Sequence, residues 1–352
     1  MKKKSRIEII DIAKAITIFL VIMGHSGSNL DTTMFRRVIY SFHMPLFFYL
    51  AGLSIKPRIL KGMTEWIQFL RKNILALVFP YFIWGLIFGP FSFENILKLL
   101  YGSWNAIAST GTLSSLWYLV CLFVARIYVQ LIFNLLEEKK NKEYLYLFCI
   151  VLMFVIGFMI PFRENGYPWC FDVAFVASAF ILLGVVSRKG IIILSQQKLS
   201  ILFVLLAVMV VVFSFGTIFK GDDLPLMLMC SGKYNDVFLF LLDAFSGSMI
   251  VMLISMIISL LSRESQRPFS TSLITYIGTH TMGIFLLHKN ILQQLMVPLI
   301  SQFISNKLLL SFVASAIVLI IVLLLCGVIE KYIPQLLGQF PPYEYGDKDT
   351  NK

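Results

Sequence analysis

Apolar runs of near-constant length, separated by short polar and often basic stretches, repeat along the whole 352-residue chain. Each is close to the ~20 residues that a helix needs to cross ~30 Å of hydrocarbon. The pattern predicts ten spans, at roughly 9–27, 37–55, 72–91, 113–136, 143–162, 169–187, 200–219, 237–261, 271–294 and 308–330. The first is expected to be kept, not cleaved as a signal, because it has no small-residue cleavage site and further spans follow at once. The connecting loops are too short to fold alone. The expectation is an all-α, polytopic integral membrane protein: one transmembrane domain over 1–333 and a polar, disordered cytoplasmic tail over 334–352.

Composition agrees with this pattern. The chain is 58% hydrophobic and 14% charged, with mean hydropathy +0.83, whereas a soluble chain of this length carries far more polar surface. The net charge of +11 reads first as topology. With the amino terminus inside and the spans alternating, 20 of the 30 basic residues fall on inner segments and 8 on outer ones, leaving Lys14 and Arg126 within spans. Both ends are therefore expected in the cytoplasm, with the basic inner loops meeting anionic membrane lipid. No nucleic-acid motif is present. The cysteines Cys121, Cys149, Cys170, Cys230 and Cys326 show no CxxC and no metal spacing, so no metal is expected. Cys170 and Cys230 fall near the same predicted face and could pair.

The first span, DIAKAITIFLVIMGH, poses the chemical question. A helix turns ~100° per residue, so the eleven residues from Lys14 to His25 return to within about 20° of one face, on the order of 16 Å apart along the axis. Asp11 shares that face. An ionised side chain in a span costs roughly 2.5–3.5 kcal/mol even on lenient scales, so such residues tend to face protein or water and to be functional. The bland alternative is that Asp11 and Lys14 snorkel to the interface and His25 ends the helix. All four histidines (His25, His43, His280 and His288) lie in or beside apolar spans, where titration near neutrality suits proton transfer. Pro45, two residues after His43, is expected to disturb its helix and free backbone carbonyls. His280 and His288, eight apart, are expected to share a broad face. Asp172, Asp243 and Arg126 are further charges in spans, each expected to pair with something. The basic loop around Lys56, Arg58, Lys61, Arg71 and Lys72 is topology first and a candidate anion site second.

These residues carry a resemblance. Lys14-x10-His25 resembles the Arg/Lys-x10-His signature of the membrane acyltransferase-3 family, and SFHMPLFFYLAG resembles its second-helix motif. LVFPYFIWGLIF, SLWYLVCLF, PWCFDVAFVASAFILLG and YIGTHTMGIFLLH are similar to further family blocks, in family order and over nearly the whole chain. The branch most resembled is the group related to fucose 4-O-acetylases, of the stand-alone type without a fused hydrolase-like domain. The resemblance implies acyl transfer from a coenzyme A thioester, usually acetyl-CoA, to a hydroxyl of a cell-surface or lipid-linked sugar. Two departures are visible. Lys14 replaces the commoner Arg and loses its planar fork. His280 stands where relatives often have another polar residue, and it inherits no catalytic role.

Together these readings give an expected arrangement. Lys14, Arg71 and Lys72 meet the phosphates of acetyl-CoA at the cytoplasmic mouth. His25 acts as general base, and His43 is a second catalytic residue. Asp11, Asp172, Asp243, Arg126 and His288 support. The expected location is a bacterial cytoplasmic membrane. A glycan transporter or flippase using the histidines as a proton relay is the rival from another class; a non-catalytic scaffold in a glycan-assembly complex is a third.

Overall fold

The computed structural model describes residues 2–26, 34–219, 228–234, 236–264 and 268–341. Over these the chain is helical, with helices α1 (Lys2–His25), α2 (Met34–Ser54), α3 (Met63–Asn73), α4 (Phe79–Phe88), α5 (Phe93–Tyr101), α6 (Trp104–Ala108), α7 (Trp117–Leu136), α8 (Lys142–Met159), α9 (Phe171–Leu194), α10 (Leu199–Phe219), α11 (Val237–Glu264), α12 (Pro268–Thr279), α13 (Thr281–Ile291), α14 (Val297–Ile300) and α15 (Lys307–Tyr332). A helix satisfies its backbone within itself, which hydrocarbon requires. Among the described residues the only pairing of extended backbone outside helices is an isolated bridge between Leu228 and Lys233.

Among the described residues eight helical stretches are long and apolar enough to cross a membrane, and they cover the last eight predicted spans. The first two predicted spans are α1 and α2, of 24 and 21 residues. These carry Glu8, Asp11, Lys14, Arg36 and Arg37, and their length is nevertheless that of a crossing. The protein is thus an all-α polytopic membrane protein. The apolar faces of α8, α10 and α15, such as Phe148, Val151, Val211 and Leu324, are exposed, as a lipid-facing surface must be. In contrast α9 is largely buried and packs against α2, α7 and α8.

Small residues set the closest approaches, the usual device where lipid removes the hydrophobic drive between helices. A Cβ on Gly52 would stand 2.0 Å from the Ile181 carbonyl oxygen, and one on Gly184 would stand 2.2 Å from that of Tyr49, so α2 and α9 touch backbone to backbone. Gly278 lets α12 approach Asp11 of α1 in the same way.

Several expectations change. Pro45 does not break α2, which runs on through it. The third predicted span is α3 and α4 joined by a π-helical turn at Ile74–Val78. The ninth is broken at His280 and continues through a second π-helical turn, Leu292–Met296. Such turns frequently mark functional places in helices. The loop between the third and fourth spans holds α5 and α6, capped by the Ser92 and Ser103 hydroxyls, which accept from Asn95 N–H and Ala106 N–H. The tail does not begin as a disordered segment at 334. Pro334–Leu337 forms a 3-10 turn, and Trp84 Nε1–H donates to the Leu336 carbonyl at 2.8 Å. The rest of that tail, 342–352, lies outside the described residues.

Candidate active site

The carboxy-terminal end of α1 is held from several sides. The last carbonyls of a helix lack intrahelical donors and need others when buried. The Met23 carbonyl accepts from Ser26 Oγ at 2.7 Å and from Ser311 Oγ of α15 at 3.2 Å. The Gly24 carbonyl faces Tyr40 Oη of α2 at 3.4 Å. The His25 carbonyl accepts from Gln293 Nε2 at 3.1 Å, in the π-helical turn after α13. The Ser26 and Ser311 hydroxyls also touch each other, so either can donate to the other in place of the Met23 carbonyl. His25 is therefore fixed at its backbone by groups from α2, α15 and the stretch after α13.

Its imidazole stands in a chamber of about 390 Å³ in the half of the bundle that the charge pattern predicts to be outer. His25, Tyr40, His43, Ser114, Lys289 and Gln293 supply its polar wall. Tyr40 Oη lies 3.3 Å from His25 Nδ1. A tyrosine that donates to the Gly24 carbonyl accepts from Nδ1–H, which leaves His25 Nε2 with a free lone pair. The other two histidines here have tautomers set by carbonyls. His43 Nδ1 is 2.7 Å from the Ile39 carbonyl, and His288 Nδ1 is 3.0 Å and 2.9 Å from those of Ile284 and Phe285. A carbonyl only accepts, so Nδ1 carries the proton in both and Nε2 carries a lone pair. His288 Nε2 is buried with no hydrogen-bond partner among the described residues, and its ring centre is 5.4 Å from that of His25. Imidazoles held in this way can take up a proton.

A second, larger chamber of about 660 Å³ opens in the inner half. Lys14, Lys56, Arg58, Lys72 and Arg126 line it, and no described lining residue carries a carboxylate. Lys14 Nζ is 3.6 Å from Asp11 Oδ1. Arg126 Nη1–H donates to Asn73 Oδ1 at 2.9 Å, where α3 gives way to its π-helical turn. The loop that carries Lys56 and Arg58 is stitched to α7. Gln130 donates to the Arg58 carbonyl at 2.9 Å, and Asn134 donates to the Leu60 carbonyl at 3.0 Å.

The two chambers follow the same helix faces. On α2 the lining residues run Arg36, Tyr40, His43, Phe47, Leu50, Ser54, spaced by three or four, from the outer chamber into the inner one. On α13 and the turn after it, Thr281 and Phe285 line the inner chamber, and Phe285, Lys289 and Gln293 line the outer. On α1 Lys14 belongs to the inner chamber and His25 to the outer. Between them stands an aromatic partition: Tyr118 lies 5.0 Å from Phe48, 6.0 Å from Phe47 and 5.2 Å from Phe285, centre to centre.

The structure brings most of the expected residues together, but not all. His25 and His43 share the outer chamber, with His288 against His25; Lys14, Lys72 and Arg126 share the inner one. Arg71 is exposed and lines neither. Asp172 sits in the first turn of α9, beside Gly232, and lines neither chamber. Asp243 is buried where α11 meets Gly216 of α10. His280 and His288 do not share a face, because the helix breaks at His280, whose Nε2 lies 3.0 Å from Glu330 Oε2. All five cysteines are free, so Cys170 and Cys230 are not paired. Tyr40, Asn73, Gln130, Lys289, Gln293 and Ser311 were not singled out from sequence. Each acts through a contact distant in the chain, and only the outer, basic Lys289 left any trace in the pattern.

The described helices form a polytopic bundle with a basic chamber and a histidine-lined chamber set along shared helix faces. The Acyltransferase domain family model matches residues 7–331, and the chain belongs to that family, acyltransferase-3. The protein is a multi-pass membrane acyltransferase. No curated protein and no solved structure matches the chain.

Proposed function

We propose that the protein is an acyl-CoA-dependent O-acyltransferase of the bacterial cytoplasmic membrane, moving an acyl group, acetyl in the simplest case, to a hydroxyl of a cell-surface or lipid-linked sugar. One observation carries this reading: a basic chamber on the inner side and a histidine-lined chamber on the outer side run along the same faces of α1, α2 and α13, parted by aromatic rings. The nucleotide end of the donor binds in the inner chamber, its phosphates met by Lys14, Arg58, Lys72 and Arg126. The pantetheine arm passes the partition at Tyr118 and Phe285 and presents the thioester to the outer chamber. The acceptor enters that chamber from the outer side.

His25 is the general base. As the acceptor oxygen attacks the thioester carbonyl, its proton passes to His25 Nε2. The tetrahedral centre then collapses, the C–S bond breaks, and the departing sulfur takes the proton from the imidazolium. The products are the ester and free coenzyme A. Tyr40 holds the His25 ring, and His43 lines the same space; with its Nδ1–H given to the Ile39 carbonyl, it donates to a developing negative charge only once its Nε2 is protonated. Excluding bulk water strengthens these interactions and suppresses hydrolysis of the thioester.

The test is transfer of a labelled acetyl group by protein purified in lipid. His25→Ala is expected to lose two to four orders of magnitude, about the 10²–10⁴-fold that a placed base contributes, while remaining folded. Full activity in that variant removes His25 from the chemistry. Movement of a glycan with no consumption of acetyl-CoA would favour the transporter. Mass spectrometry of surface glycans from cells with and without the protein identifies the acyl group and its acceptor.

A further inference from the structure

Lys289 is a buried cation with neutral partners. It lies on the outer half of α13, one residue after His288, and is 5% exposed. Its ammonium donates to the Gly111 carbonyl and to Ser114 Oγ, both in the turn leading to α7. Among the described residues these are its hydrogen-bond partners. An ammonium has three N–H donors and a full charge. Two neutral oxygens satisfy two donors and, among the described residues, leave the charge uncompensated within a membrane-spanning helix. Buried charges in such places are ordinarily paired, and they mark binding sites for the opposite charge. Lys289 lines the His25 chamber, Arg36 lines it too, and no described residue on that wall carries a carboxylate.

We propose that the outer chamber takes an acceptor bearing an anionic group, phosphoryl or carboxylate, which Lys289 binds while the acceptor hydroxyl lies at His25. This rests on the acyltransferase reading only in taking the outer chamber as the acceptor's site. The lysine stands on the same helical face as Phe285 and Gln293, so the anion is held one turn from the partition and one turn from the residue that anchors His25. The shared chemistry admits two sources, a sugar joined to a lipid through phosphate and an acidic sugar of a polymer. A neutral sugar leaves the ammonium without a counter-charge.

The experiment measures binding by calorimetry to the full chain in lipid nanodiscs, with glucose 1-phosphate, glucuronate and methyl glucoside as probes. Wild-type protein is expected to bind at least one of the anionic probes about tenfold or more tighter than methyl glucoside, the size of one hydrogen bond to a charged group. K289Q is expected to lose that preference and K289R to keep it. Ser114→Asp supplies an internal carboxylate to the ammonium while retaining its tether to the turn, and it is expected to lose the preference as well. Selectivity for glucose 1-phosphate alone identifies a phosphate-linked acceptor, and selectivity for glucuronate alone identifies an acidic sugar. Equal binding of all three probes by wild type, or anion preference surviving in Ser114→Asp or in folded K289Q, overturns the proposal and leaves Lys289 a tether. Consumption of acetyl-CoA, followed separately, reports on the acyltransferase reading: anion binding without any acyl transfer sinks that reading and spares the anion site.

Discussion

Tyr40→Phe removes a single oxygen from the wall of the outer chamber. That oxygen lies 3.3 Å from His25 Nδ1 and 3.4 Å from the Gly24 carbonyl. The ring itself keeps its place, because its edge-on contact with His43 (centres 4.9 Å apart) and the Arg36 guanidinium over its face (5.0 Å) remain, although Arg36 also hydrogen-bonds the hydroxyl. The bonds to His25 and Gly24 are long, so each belongs at the weak end of the usual ~0.5–1.5 kcal/mol, and the one to Arg36 is lost with them. Stability is expected to fall by about 1–2 kcal/mol. Catalysis is more sensitive, because the hydroxyl sets both the ring orientation and which nitrogen bears the proton. Losing about 1.4 kcal/mol of transition-state stabilisation is tenfold in rate. The expected result is a roughly tenfold lower kcat with KM for acetyl-CoA unchanged, since Tyr40 does not line the inner chamber. Steady-state kinetics in nanodiscs, with donor varied at saturating acceptor, reads both constants. An unchanged kcat, or a loss confined to KM for acetyl-CoA, refutes the role given to Tyr40.

Other expectations follow from the two chambers and the helix contacts. Arg58→Ala or Lys72→Ala removes a charge from the inner wall and is expected to raise KM for acetyl-CoA several-fold with little change in kcat, as read in the same assay. Phe285→Ala opens the partition to water, and release of free coenzyme A without acylated product is expected to rise above the wild-type rate. Gly52→Val drives a side chain into the Ile181 carbonyl and is expected to cost about 1–3 kcal/mol or to prevent folding, seen as a lower thermal midpoint in detergent.

The parts legible in the sequence are those written in local periodicity. Apolar runs located the membrane-crossing segments because hydrocarbon allows little besides a helix there. The eleven-residue interval from Lys14 to His25 put both on one face for the same geometric reason, and the structure gives that face one chamber at each end. The break at His280 was not legible, and the imidazole there reaches Glu330, fifty residues away, a contact that local periodicity does not carry. Nor was Arg126 placed, since its partner Asn73 lies on another helix at the mouth of a π-helical turn. Gln293 and Ser311 read as ordinary polar residues, and only the packing of α1 against α15 and the turn after α13 turns them into anchors for the helix end that bears His25. By contrast α5 left a readable signal in the loop between two predicted spans, a serine before its first turn and Gly102, at φ 69°, after its last.

Sealed proteoliposomes can separate the two sides on which the account depends. With acetyl-CoA supplied only to the face that exposes the basic inner loops, and the acceptor glycan only to the other, wild-type protein is expected to place the acetyl group on the acceptor, and His25→Ala is not. Acetylation that requires donor and acceptor on the same face, or that survives undiminished without the imidazole, would contradict it.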